Sequence, residues 1–248
     1  MSDGAYSYSL TTFSPSGKLL QIEHALEAVN HGNSSLGIKA TNGVVLAAAK
    51  KLAPLVDETS IERISNITHN VGAVFSGLSP DFRVILKKAR KNAEKYRLKF
   101  GEEPSAKVVA TYIGSLMQEY TQAGGVRPMG CSVLVAGFDH KHHVGELYQI
   151  DPSGSFWSWK ATAIGQDSLT TKAFLEKRFR ADMEIDDAIH TAILTVKETY
   201  DGVLTENGID IAIVGERQTG QGDSAKVTPI EFKRLSVEEI KAYMAENE

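Results

Sequence analysis

Cysteine is almost missing. Cys131 stands alone in a chain of 248 residues, so no disulfide can form within the chain, and that suits a reducing compartment such as the cytosol or nucleus. No apolar stretch approaches the roughly 20 residues that cross a bilayer as a helix. The first residues carry neither the basic start nor the apolar segment of a secretory signal. The expectation is an intracellular chain, in cytoplasm and nucleus, with no membrane partner. An excess of positive charge is lacking too. Lys and Arg number 27 against 31 Asp and Glu, for a net charge of −4, which argues against nucleic acid as a general partner. There is no internal repeat and no linker long enough to divide the chain.

The familiar signatures of catalysis are missing as well. G-x-S-x-G does not occur, and "SGLSP" and "PSGSF" only superficially approach it. "GGVRPMG" has neither the spacing nor the strand-to-helix setting of a phosphate loop. His140, His142 and His143 come without cysteines or an H-E-x-x-H frame, so a solvated hairpin turn is the favoured reading over a metal site. Eight basic residues between Arg83 and Lys99 stand against Glu94 alone. A helix with one buried and one charged face gives the same pattern as a nucleic-acid surface, and the acidic total favours the helix. Trp157 and Trp159 alternate as in a strand, which places both on one face for packing. Residue chemistry alone yields no active site.

What is present is a large core's worth of apolar residues, 42% of the chain with 23% charged, enough for one large domain. Leu19, Ile22, Leu26 and Val29 recur at helical spacing and Gly32 follows as a stop. "SSLGIKATNGVVLAAAKK" reads as a hairpin turning at Asn42-Gly43. "NVGAVFSGL" is a further strand. A long helix follows to about Phe100, its buried stripe being Phe82, Ile85, Leu86, Ala89, Ala93, Tyr96 and Phe100. A second helix spans about 105–122. Strands return at "CSVLVAGF", "VGELYQID" and "FWSWKATAIG". Helices follow at "SLTTKAFLEKRF" and "IDDAIHTAILTVKETY", with "GIDIAIVG" a late strand. "GERQTGQGDSAKV" reads as a loop, and Ser236 to Glu239 as a capping box. Strands segregated from helices in this order indicate an α+β domain with antiparallel sheets.

The stretch "FSPSGKLLQIEHALEAV" closely resembles the N-terminal signature of proteasome α subunits, in which F-S-P-x-G-[RK] precedes Q-[IV]-E-Y-A. "LGIKATNGVVLA", "SGLSPDFRVILKKAR", "MQEYTQAGGVRPMGCSVLVAG", "DPSGSFWSWKATAIG" and "FLEKRF" resemble successive blocks of the same family, covering nearly the whole chain up to Gly215. The resemblance implies a four-layer αββα sandwich of the N-terminal nucleophile hydrolase type with an extra N-terminal helix. It implies one domain over 1–248: a gate tail and turn at 1–18, the added helix at 19–31, a sandwich core at 35–215, and a loop with a C-terminal helix at 216–248. The implied role is a noncatalytic subunit of the outer heptameric ring, in ATP- and ubiquitin-dependent protein degradation. Its implied partners are other α subunits, β-ring subunits and regulatory caps such as the 19S particle.

Aligned with the T-T-x-x-G-I pattern of the catalytic β subunits, Asn33 takes the nucleophile's place and Ala49 that of an acidic residue. Arg63 falls near the position of their lysine. A chain without hydroxyl or carboxylate there is expected to be catalytically silent, with no cofactor and no metal. The rival readings are an active N-terminal nucleophile hydrolase and a basic-helix nucleic-acid binder. The resemblance further assigns Tyr6, Ser7, Tyr8, Pro15 and His24 to the gate, with His24 replacing the family's usual tyrosine. It assigns Gly32, Arg63 and Leu78 to a pocket that receives cap tails, Arg63 standing where lysine is usual.

Overall fold

The computed structural model describes residues 12–51, 55–57, 60–219 and 226–246. Strands buried on both faces dominate it. One five-stranded antiparallel sheet runs, in spatial order, β10 (Lys226–Arg234), β9 (Ile209–Thr219), β2 (Gly43–Ala49), β1 (Ser35–Lys39) and β8 (Ala161–Ile164). The other runs β3 (Ile64–Asn66), β4 (Val71–Gly77), β5 (Cys131–Asp139), β6 (Val144–Ile150) and β7 (Phe156–Ser158). Side chains alternate across each strand, and here both faces are apolar. Val44, Leu46 and Ala48 of β2 meet Leu134 and Ala136 of β5 and Leu147 of β6 between the sheets. Their neighbours Val45, Ala47 and Ala49 face the opposite way, into a separate cluster under helices.

The outer layers follow from amphipathic helices. α2 (Ser79–Phe100) and α3 (Ala106–Gln122) bury Phe82, Ile85, Ala89, Val109, Ile113 and Met117 against β4 and β5. α4 (Ser168–Arg178), α5 (Ile185–Thr199) and α6 (Val237–Ala245) cover the first sheet through Leu175, Ile189, Ile193, Val196 and Ile240. The result is the αββα sandwich, with α1 (Leu20–Asn30) added across the ends of β4 and β5. Local chemistry fixes the helix ends. α2 opens with Pro80 in its first turn and stops at Gly101, whose φ of 75° suits glycine. Ser236 and Glu239 form the reciprocal box at the start of α6, at 3.2 and 2.8 Å.

Several elements differ from expectation. The buried stripe of α2 runs out before its end, leaving Phe100 56% exposed. The segment read as a loop from Gly215 onward instead continues β9 to Thr219 and opens β10 at Lys226. β10 is an edge strand, where Pro229 is tolerated because no neighbour needs its missing N–H. The strand carrying Trp157 ends at Ser158, so the two tryptophans part company: Trp157 stays 48% exposed while Trp159 packs against the core between the sheets. Nor is the turn from Asp139 to His143 simply solvated. His143 Nδ1 lies 2.8 Å from Oε2 of buried Glu216 in the other sheet, and both ring nitrogens of His140 are buried without partners among the described residues.

Candidate functional site

The last residues of β4 are where separate parts of the chain meet. Gly77 has φ of 104°, and an added Cβ there would lie 2.2 Å from the Gly130 carbonyl oxygen, so only glycine fits. Next to it, Leu78 N–H donates to the same Gly130 carbonyl at 2.9 Å, and α2 begins one residue later. Gly32, just past α1, packs edge-on against this segment: a Cβ on it would fall 2.2 Å from the Gly77 nitrogen. Its carbonyl accepts from Gln166 N–H at 2.8 Å, and the Ser76 hydroxyl donates to the Val29 carbonyl at 3.1 Å, which ties α1 to the strand.

Arg63 reaches the same strand from the approach to β3. It is only 8% exposed. Its guanidinium carbon stands 4.4 Å from the centroid of the Phe75 ring, and one terminal nitrogen donates to the Phe75 carbonyl at 3.3 Å. Its backbone N–H donates to Asp210 Oδ2 at 3.1 Å, while its side-chain Nε has no partner among the described residues. Burial lowers the Arg63 pKa and the charge of Asp210 opposes that shift. Gly32, Arg63 and Leu78 therefore converge on the segment from Phe75 to Leu78. Leu78 is 44% exposed and its side chain covers Gly130.

Beside Arg63 opens a cavity of about 590 Å³ that also contains Asn33 and Lys50. This is the cleft where the sequence alignment places a nucleophile. Asn33 Nδ2 approaches the Ala49 carbonyl at 3.5 Å, and Asn33 is joined by peptide bonds on both sides, so it offers neither hydroxyl nor free amine. Lys50 Nζ is held 2.7 Å from Asp210 Oδ1, with both side chains buried. Asp210 also lies 3.3 Å from Arg234, which in turn pairs with Glu62 at 2.9 Å. The cleft thus holds a charge network around Asp210, with Asn33 at the position where the alignment places a nucleophile. Sequence reasoning missed Lys50, Asp210 and Phe75 here. The signal was one acid, Asp210, inside the otherwise apolar "GIDIAIVG".

The other expected residues lie apart from this cleft. Pro15 occupies the second position of a turn closed by Gly17 N–H to the Ser14 carbonyl at 2.8 Å, and it is exposed. His24 is exposed on α1. Tyr6, Ser7 and Tyr8 fall outside the described residues. His142 is engaged by Asp139 at 2.7 Å and His143 by Glu216, so the three histidines do not converge. Among the described residues no group of three or more His, Cys, Asp or Glu side chains is placed to hold a metal, and no helix is long and apolar enough to cross a membrane.

Two face-to-face antiparallel sheets between helical layers, with an added N-terminal helix, define the αββα sandwich of the N-terminal nucleophile hydrolase type. Known relatives make the class specific. Residues 29–214 match the proteasome subunit family, and residues 6–28 match the N-terminal signature of its A-type subunits. The chain is 52% identical over 242 residues to the alpha type-2 proteasome subunit of Dictyostelium discoideum, covering 98% of both chains. It is likewise 52% identical over 249 residues to the alpha type-2 subunit of Oryza sativa subsp. indica, covering 100% of both. A probable alpha type-2 subunit of Schizosaccharomyces pombe is 52% identical over 241 residues, covering 96% of this chain and 97% of the relative. The chain belongs to the proteasome subunit family, in its alpha branch. Being of the alpha type, it is a noncatalytic component of the outer ring and assembles with other proteasome subunits.

Proposed function

We propose that the chain, as one domain over 1–248, fills one place in a heteroheptameric alpha ring that abuts a beta ring in cytoplasm and nucleus. There it contributes to the substrate gate and receives the C-terminal tails of regulatory caps such as the 19S particle in ATP- and ubiquitin-dependent degradation. The observation that supports docking is the convergence of Gly32, Arg63 and Leu78 on the end of β4, beside a cleft lined by basic side chains. A tail carboxylate meeting the buried Arg63 gains a charge-assisted hydrogen bond, typically about 1.5–3 kcal/mol. The half-covered stripe of α1, with Leu19, Ile22 and Leu26 partly open, supports a neighbouring protomer of the ring over that helix. For the gate, Tyr6, Ser7 and Tyr8 supply the tail residues, Pro15 turns the chain, and His24 offers an imidazole where the family usually has a phenol.

The test is binding of a cap-tail peptide to assembled particles carrying Arg63→Ala, resolved at this pocket. Affinity is expected to fall about tenfold or more, at roughly 1.4 kcal/mol per decade, with the ring intact on a native gel. Arg63→Lys keeps the charge but loses the planar fork over Phe75, so it is expected to bind between the two. Unchanged peptide affinity in Arg63→Ala particles sinks the docking role and leaves Arg63 a purely structural residue.

A further inference from the structure

The cleft beside Arg63 carries more positive charge than one chain-end carboxylate can answer. Its charged lining comprises Lys50, Lys51, Arg63, Arg83 and Arg90, with Glu62 as the acid. Part of this is settled internally: Lys50 pairs with Asp210 at 2.7 Å, Lys51 with Asp201 at 3.1 Å, and Glu62 with Arg234 at 2.9 Å. Arg63, Arg83 and Arg90 remain, none with a carboxylate in ion-pair range among the described residues. Arg90 is held by the neutral carbonyl and side-chain oxygens of Asn66 at 2.7–3.1 Å. Arg83 is exposed, and its side chain makes no hydrogen bond among the described residues. Arg63 is more than nine-tenths buried, yet its Nε–H has no acceptor among the described residues. A buried guanidinium short of acceptors is costly to hold, and an anion accepting from its outer nitrogen in the cleft would offset that cost.

Other features of the cleft suit a ligand with more than one charge. Ser79, the first residue of α2, lines it, and the preceding Leu78 provides no side-chain cap, so the uncapped positive end of a 22-residue helix borders the cavity. The acid of that first turn, Asp81, is committed elsewhere, to Arg127 and the Gly130 N–H. Phe75, Phe82 and Leu86 form an apolar wall on the same cavity.

We propose that this cleft is an oxyanion site for a phosphoryl dianion, either inorganic phosphate or the phosphate end of a small soluble monoester, bound between Arg63 and Arg83. A phosphate carries about −1.5 to −2 charge at neutral pH and several strong acceptor oxygens, against one charge on a carboxylate. It matches paired guanidinium forks in both charge and geometry. Competition with tail docking follows and rests on the docking role proposed above; phosphate binding itself does not.

Calorimetric titration of the full chain with inorganic phosphate, at pH 7.5 and fixed low ionic strength, tests the site. Phenyl phosphate and acetate form parallel arms. Phosphate is expected to bind saturably at one site, and acetate at least tenfold more weakly. Tighter binding of phenyl phosphate assigns the site to a monoester; equal binding assigns it to inorganic phosphate. Arg83→Gln, which alters an exposed side chain with no partner among the described residues, is expected to weaken phosphate at least tenfold, and Arg83→Lys to weaken it less. An unchanged circular dichroism spectrum identifies the loss as one of binding. Absence of saturable phosphate binding, equal affinity for acetate, or an unaffected Arg83→Gln variant overturns the proposal. A tail peptide that binds where phosphate does not overturns the oxyanion site and leaves docking standing. Phosphate that binds where no tail peptide does supports the site and overturns docking instead.

Discussion

The turn that presents Leu78 depends on one carboxylate, and removing it has a calculable cost. Asp81 has a side chain only 10% exposed, yet it accepts from both terminal nitrogens of Arg127, at 2.6 and 2.9 Å, and from Gly130 N–H at 2.8 Å. Gly130 in turn accepts from Leu78 N–H, so the pair holds the turn that presents Leu78. Arg127 is 63% exposed. Its share must therefore be discounted for solvent screening, and Arg127→Ala is expected to cost about 1–2 kcal/mol. Asp81→Ala also strands the Gly130 N–H and is expected to cost about 2–4 kcal/mol. The double variant should show a coupling of about 1–2 kcal/mol. Burial would raise the Asp81 pKa, but the Arg127 and Gly130 hydrogen bonds outweigh it and hold the carboxyl below the usual range. A depressed folded pKa contributes stability that is complete above the unfolded value, near 3.9, and is lost as pH falls through the folded value. Urea unfolding followed by tryptophan fluorescence, from pH 7 down to pH 3, measures both effects. A coupling under about 0.3 kcal/mol, or a gap between the native chain and Asp81→Ala that persists undiminished in acid, refutes the reasoning.

Gly77→Ala is expected to destabilise the chain by more than about 2 kcal/mol, since it combines a left-handed φ with a collision against backbone; a urea midpoint equal to that of the native chain counts against this account. Burial, reinforced by the charge of Asp81 and opposed by Arg127, pushes the Cys131 thiol up to about 12. Iodoacetamide at pH 8 should therefore label it about a thousandfold more slowly than free cysteine, with rapid labelling only on unfolding. Prompt stoichiometric labelling of the native chain contradicts this.

The sequence displayed its long helices plainly because their apolar residues repeat at helical spacing. Ile185, Ala188, Ile189, Ala192 and Val196 are all buried on α5 as the spacing requires. The hairpin of β1 and β2 was equally plain from Asn42-Gly43, although the Asn42 side chain has a second duty, accepting from Ile185 N–H at 2.9 Å to seat α5. What stayed hidden lies at sheet edges. β3 has three residues, too few to show alternation, and β10 interrupts its own pattern with Pro229 and an irregular register between Ile230 and Lys233. Of the candidate site, the motif around α1 was legible through family likeness, which also singled out Gly32, Arg63 and Leu78 as the positions proposed for docking. The Lys50–Asp210 pair and the stack of Arg63 on Phe75 were not, because each depends on how the sandwich closes rather than on any local pattern.

The first helix carries a consequence for supply. Ala25 and Val29 are buried by the chain itself, while Leu19, Ile22 and Leu26 remain half-covered. On the ring role proposed above, a neighbouring protomer would complete the cover of this stripe, leaving the lone chain the stickier of the two. Copies made in excess of their neighbours would keep that stripe partly open and would be the ones that aggregate or are held by chaperones. On that reading the surface proposed to meet a ring neighbour would also act as a stoichiometry meter, marking every molecule that has not yet found its place.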